Sequence, residues 1–147
     1  MMGDRHLEPA AALIGRLLLS AIFLHEAWAK LAGYGLALAY MQAFGVPGAT
    51  LPLAIGIELG GALMILSGFK TRIAALMLAV FCVATALVFH TKFAVRNELL
   101  HFEKDLAIAG GFLLLASFGA GAWSVDAWME TRRCRPNSAE SATTQAW

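Results

Sequence analysis

Charge is scarce in this chain. Of its 147 residues only 14% are Asp, Glu, Lys or Arg, about half of what a hydrated domain carries. There is no excess of one sign either: the net charge of +1 leaves no basic stripe and excludes the usual kind of nucleic-acid binder. Cysteine is nearly absent. Cys82 and Cys134 are 52 positions apart and no CxxC occurs, which excludes a disulfide scaffold and a dithiol redox centre. No histidine pair has the HxxxH or HxxE spacing of metal ligands on one helix, so no metal is expected. The scattered glycines match no nucleotide fingerprint. No internal repeat is visible. Disorder and collagen-like structure are excluded by what is abundant, since 59% of the residues are hydrophobic.

That greasiness is concentrated. Three charges lie in residues 1–8 and five in 130–147, leaving 13 of the 21 for the 121 residues between. A body so apolar implies a small integral membrane protein, because a soluble fold of this composition would expose a very large apolar surface. A spanning helix needs about 20 mostly apolar residues. Four stretches qualify, at about 10–31, 51–68, 72–90 and 103–125. Leu106–Val125 holds no charge, Leu51–Gly68 holds only Glu58, and Ile73–Phe89 follows Thr71, a candidate N-cap. The first stretch carries Arg16, His25, Glu26 and Lys30. One central Arg or Lys costs about 2.5 to 3.5 kcal/mol against about 0.3 to 0.6 gained per Leu, so this helix depends on partners that accept its charges. Its flanks do not resemble a cleaved signal peptide, and it reads as retained.

The expected fold is therefore all-α, a four-helix transmembrane bundle occupying residues 1–129. A short interfacial helix around Leu36–Phe44 sits between glycine-rich breaks, and a polar, disordered cytoplasmic tail fills 130–147. Arg5, Lys70, Arg72, Arg132, Arg133 and Arg135 fall on one side, against Lys92 and Arg96 on the other, which places both termini in the cytoplasm.

Several motifs follow one another along Leu13–Asp126: Arg16 and Lys30 in the first helix, Glu58 with Gly60-Gly61, and Gly68-Phe69-Lys70-Thr71-Arg72. Next come Phe102–Gly111 (FEKDLAIAGG), Phe118-Gly119 and Trp123-Ser124-Val125-Asp126. In this order they resemble the DoxX family of small bacterial inner-membrane proteins. The resemblance implies a four-helix bundle and an association with quinone-linked or thiol redox systems. A quinone is then the candidate cofactor, and a partner oxidoreductase or a second copy the candidate partner besides the bilayer. His25-Glu26 and Asp105 depart from the small or neutral residues common at those places.

Glu58 is the sharpest single residue and the candidate catalytic group. It lies near the middle of its helix, where ionisable groups usually face the bundle interior. Ala54, Gly61, Ala62 and Ile65 share its stripe and leave room for a partner side chain, while Gly56 and Gly60 form a GxxxG on the opposite face. Arg16, Lys30 and Lys104 are its candidate ion-pair partners. Arg16 and Lys30 fall within about 40° of each other on a helix. Glu26 precedes Lys30 by four residues, and these three are expected to face inward, with His25 elsewhere. His101, Lys104 and Asp105 share a face by i, i+3, i+4 spacing, and Glu103 does not. With His90 they converge on the outer half of the bundle. That layer is either a ligand site, with Glu58 relaying protons, or an ion-pair network that sets helix register. The corresponding functions are a membrane redox component and a non-enzymatic scaffold subunit.

Overall fold

The computed structural model describes residues 4–133, which are helical apart from short connections. The elements are α1 (Asp4–Ala32), α2 (Tyr34–Ala43), α3 (Leu51–Ser67), α4 (Thr71–Phe89), α5 (Arg96–Phe118) and α6 (Val125–Arg133), with a 3-10 turn at Gly48–Thr50 leading into α3. A short helix thus stands between the first two long ones, as expected. The anticipated disordered tail falls, for residues 134–147, outside the described residues; 130–133 complete α6.

The long helices pack α1 on α3, α3 on α4 and α4 on α5, and α1 touches α5 only lightly. Their shared core is built largely from small side chains, including Ala62, Ala74, Ala75, Ala79 and Ala109, around Leu78 and Phe112. Small residues let helix axes approach closely, which replaces the hydrophobic drive that is missing in lipid. Gly61 shows this directly. A Cβ there would stand 2.9 Å from Leu78, so Leu78 occupies the room that the small stripe beside Glu58 provides. Phe23 and Phe112 close the α1–α5 seam edge to face, with centroids 5.4 Å apart. A second cluster, Ala27, Met41, Leu51 and Ile55, lies where α2 docks.

The exterior is as apolar as the interior. Phe118 is 82% exposed and Ile73 66%, whereas the carboxylic acid Glu58 is 3% exposed. Apolar residues all round a helix, with the ionisable group inside, are the pattern of a lipid-facing protein. Three stretches are long and apolar enough to span: Leu7–Ala32, Gly48–Ser67 and Thr71–Phe89.

α5 is not among them, and its extent differs from the expected 103–125. The helix starts at Arg96 and takes in Glu98, Glu103, Lys104 and Asp105. It stops at Phe118 because Gly119 turns to a φ of +84° and Gly121 to +78°, a left-handed backbone that favours glycine. The uncharged run Leu106–Val125 is therefore part helix and part connection.

The start of α4 also differs from expectation. Thr71 does not cap it, and its hydroxyl has no partner among the described residues. The cap comes from Asp126, 55 residues on, whose carboxylate accepts the amides of Lys70 (2.7 Å) and Thr71 (2.9 Å). The Asp126 amide in turn donates to the Gly68 carbonyl (2.9 Å), so α6 is tied to the α3–α4 turn. That turn is tight: Gly68 and Lys70 both have positive φ, and a Cβ on Gly68 would reach the Ser124 Cβ at 2.5 Å.

Candidate functional site

The polar residues form two separate stations. The first is built on Lys30, near the end of α1. Its Nζ donates to Glu58 Oε1 on α3 (2.9 Å) and to Glu26 Oε2 one turn back (3.0 Å). Glu58 comes to this place because its face of α3 packs towards α1, and its second oxygen, Oε2, is buried without a partner among the described residues. Of the three cations that could have paired with Glu58, the fold selects Lys30.

Beyond this pair lie the facing parts of α4 and α5. Cys82 is buried and close enough to Glu58 and Asp105 for both carboxylates to bear on its thiol. The Thr85 hydroxyl lies 2.9 Å from the Cys82 carbonyl and 3.3 Å from Asp105 Oδ2. Asp105 is within electrostatic reach of His90 and His101, whose rings stack at 5.1 Å. His90 Nδ1 meets Glu98 Oε2 at 2.9 Å. On α2, partial burial and then the Glu98 carboxylate push the Tyr40 phenol above its ordinary range, and the Tyr40 ring stacks on Phe89.

Of the expected site residues, Lys30, Glu58, His90, His101 and Asp105 thus gather at one end. Three others do not join them as anticipated. Glu26 is exposed, although it bonds Lys30. Lys104 is exposed and forms no ion pair among the described residues, because helical rotation carries it past the edge that Asp105 presents to α4. Arg16 is buried but lies 14 residues from Lys30, about 21 Å along the helix. His25 and Glu103 are exposed, in keeping with their expected orientation. Glu98 and Thr85 were not singled out in the sequence. Glu98 sits four residues before Phe102, outside the uncharged run that drew attention to α5; Thr85 is a weakly polar residue in an apolar stretch.

Arg16 anchors the second station. Its guanidinium donates to the carbonyls of Ala120 (2.8 Å) and Leu66 (3.3 Å), with the Asp126 charge nearby. The open ends of α3 and of the α5–α6 connection are thereby satisfied by one side chain. Buried polarity is split between the two ends rather than concentrated in one half: Glu58 belongs to the first station, Arg16 and Thr71 to the second. Two open depressions, of about 630 and 720 Å³, also lie at the second end, lined by residues of the α3–α4 turn and α6.

The sequence motifs are explained by this division. Arg16, Gly68–Arg72, Gly119 and Ser124–Asp126 meet at the second station. Lys30, Glu58 and, from FEKDLAIAGG, Asp105 lie at the first.

Comparison with known proteins agrees. The DoxX family model matches residues 11–91, more than half of the chain, from within α1 to just past α4. The chain is 48% identical over 122 residues to the inner membrane protein YqjF of Escherichia coli K12, covering 83% of this chain and 94% of that protein. It is 34% identical over 126 residues to the inner membrane protein YphA of the same organism, covering 81% and 90%. No solved structure matches. With three apolar spans and these relatives, the chain is a multi-pass inner-membrane protein and belongs to the DoxX family.

Proposed function

We propose that this protein is a component of a membrane redox system, binding a quinone-like or other small hydrogen-bonding redox ligand at the Lys30–Glu58 station. The observation that carries this reading is the unpartnered Oε2 of Glu58, inside a spanning helix and 3% exposed. A buried acceptor without a partner is costly, and a ligand hydroxyl or a protonated carboxyl would relieve it. Glu58 then serves as proton donor or acceptor to the ligand. Exchange with water runs through Lys30 to the exposed Glu26, or along Asp105, His101, His90 and Glu98. The lightly packed α1–α5 seam is the side on which an apolar ligand enters from the bilayer.

In this reading α5 is a fourth span completing a bundle, with Glu103, Lys104 and Asp105 at the outer headgroup level and both termini cytoplasmic. Inside that level the helix Leu106–Phe118 covers about 20 Å, so crossing a hydrocarbon core of about 30 Å also takes the uncharged connection up to Ser124. The test is Glu58→Gln in purified, folded protein, scored by quinone binding. At least a tenfold loss of affinity is expected, corresponding to one charge-assisted hydrogen bond. Unchanged affinity sinks the assignment.

A specific observation favours a second reading, a scaffold subunit for a partner oxidoreductase. Glu58 Oε1 is already paired with Lys30, and the two depressions described above lie at the other end. Under that reading Glu58→Gln lowers stability without affecting a ligand, and purification in mild detergent yields a stoichiometric partner protein rather than an ultraviolet-absorbing cofactor.

A further inference from the structure

The second station has features that the proposed redox role does not use. Between the start of α4 and the α5–α6 connection lies the open depression of about 630 Å³. Thr71 contributes to its wall. That residue is fully buried, and its hydroxyl has no hydrogen-bond partner among the described residues. The Arg72 guanidinium lies over Gly119, with Nε and Nη2 3.7 Å from where a Cβ would be, at ordinary van der Waals contact. Neither Arg72 nor Lys70 pairs with a carboxylate among the described residues. Asp126, an acid on the same wall, is already engaged by the amides of Lys70 and Thr71 and bears on Arg16. Glu130 is the other acid on the rim; against these two stand Lys70, Arg72, Arg132 and Arg133, leaving this end basic.

The same depression has an apolar side. Ile73 and Phe118 line it and are among the most exposed hydrophobic residues of the molecule, continuous with the lipid-facing surface of α4 and α5. Trp123 and Trp128 are exposed close by, and Arg132 stacks on Trp128 at 3.9 Å. Such an aromatic and basic collar belongs at headgroup level.

We infer that this depression binds the phosphate of an anionic phospholipid, with Arg72 and Lys70 as its cationic partners, the Thr71 hydroxyl as a donor, and an acyl chain along Ile73 and Phe118. Arginine suits phosphate because its planar fork donates two parallel hydrogen bonds. Basic pockets at the membrane surface bind anionic headgroups on this principle. An apolar wall adjoining the cations is what a lipid needs and a free phosphate does not. The inference depends on α3 and α4 spanning the bilayer and is independent of the redox proposal.

The test uses the full chain in a neutral detergent, titrated with phosphatidylglycerol, phosphatidylcholine or inorganic phosphate and read by native mass spectrometry and thermal unfolding. Phosphatidylglycerol is expected to bind about tenfold more tightly than phosphatidylcholine, one charge-assisted contact's worth, and Arg72→Gln to abolish that preference. Thr71→Val should weaken phosphatidylglycerol binding several-fold. Equal affinity for the two lipids, or a preference that survives Arg72→Gln, overturns the inference. Stabilisation by inorganic phosphate equal to that by phosphatidylglycerol overturns the lipid assignment. Should Arg72→Gln not fold, Lys70→Gln, at an exposed side chain, carries the same comparison.

Discussion

Lys30 holds two carboxylates of opposite circumstance, Glu26 at the surface and Glu58 in the interior. Removing it has unequal consequences. Glu26 returns to a polar environment, whereas Glu58 is left buried without any cation. Lys30→Ala should therefore destabilise the protein by about 3 to 5 kcal/mol. The double variant Lys30→Ala with Glu58→Gln should recover most of that loss, because no uncompensated charge remains. Unfolding in mixed micelles measures both; a double variant as unstable as the single one would show that the pair is not what ties α1 to α3. Glu58 was recognisable in the sequence because one acid in an 18-residue apolar run is conspicuous. Its partner was not: Arg16, Lys30 and Lys104 were equivalent candidates by charge, and only the stagger of α1 against α3 separates them.

Among the elements, α3 is the one whose two faces can be tested against each other. Gly61 contacts Leu78 across the α3–α4 interface, whereas Gly60 has nothing within 4 Å of its missing Cβ. Gly61→Ala should cost about 1 to 3 kcal/mol through overpacking. Gly60→Ala should be neutral or stabilising by up to about 1 kcal/mol, since alanine is the better helix former. Thermal unfolding of the two variants, with Leu78→Ala as a suppressor of Gly61→Ala, checks the packing; equal effects would contradict it. Gly56 likewise has open space beside it, so the GxxxG face finds no partner within the described chain. Sequence periodicity located both faces of α3 without indicating which one the neighbouring helix would take. For α5 the difficulty was of another kind. Hydropathy marks where lipid contact is favourable, but a helix continues through charged residues and ends where the backbone turns. Residues 96–102 therefore fall outside the expected span 103–125, and Gly119 to Ser124 inside it.

For the whole molecule, the basic residues described on the α3–α4 turn and α6 share one end, Lys92 and Arg96 the other. With four crossings, an introduced cysteine at Gly45 should react with an impermeant thiol reagent added outside the inner membrane. One at Glu130 should react only after permeabilisation; both probes are made in a Cys82→Ala, Cys134→Ala background. Labelling of both sites from outside would leave an even number of crossings between them and remove α5 as a span; labelling of Glu130 alone would invert the orientation.

Some properties follow from composition and order alone. Membrane residence, helical class and DoxX membership are written in local patterns: long apolar runs, few charges, and short motifs in sequence. Such patterns survive without knowledge of any contact. The pairing of those motifs does not. Arg16 meets Leu66 and Ala120, Asp126 caps a helix 55 residues earlier, and Lys30 rather than Arg16 reaches Glu58. Each of these depends on axial stagger and rotation between helices, which are set by where alanine and glycine permit close approach. Charge content identified the solvent of this protein; helix packing determined which charges meet.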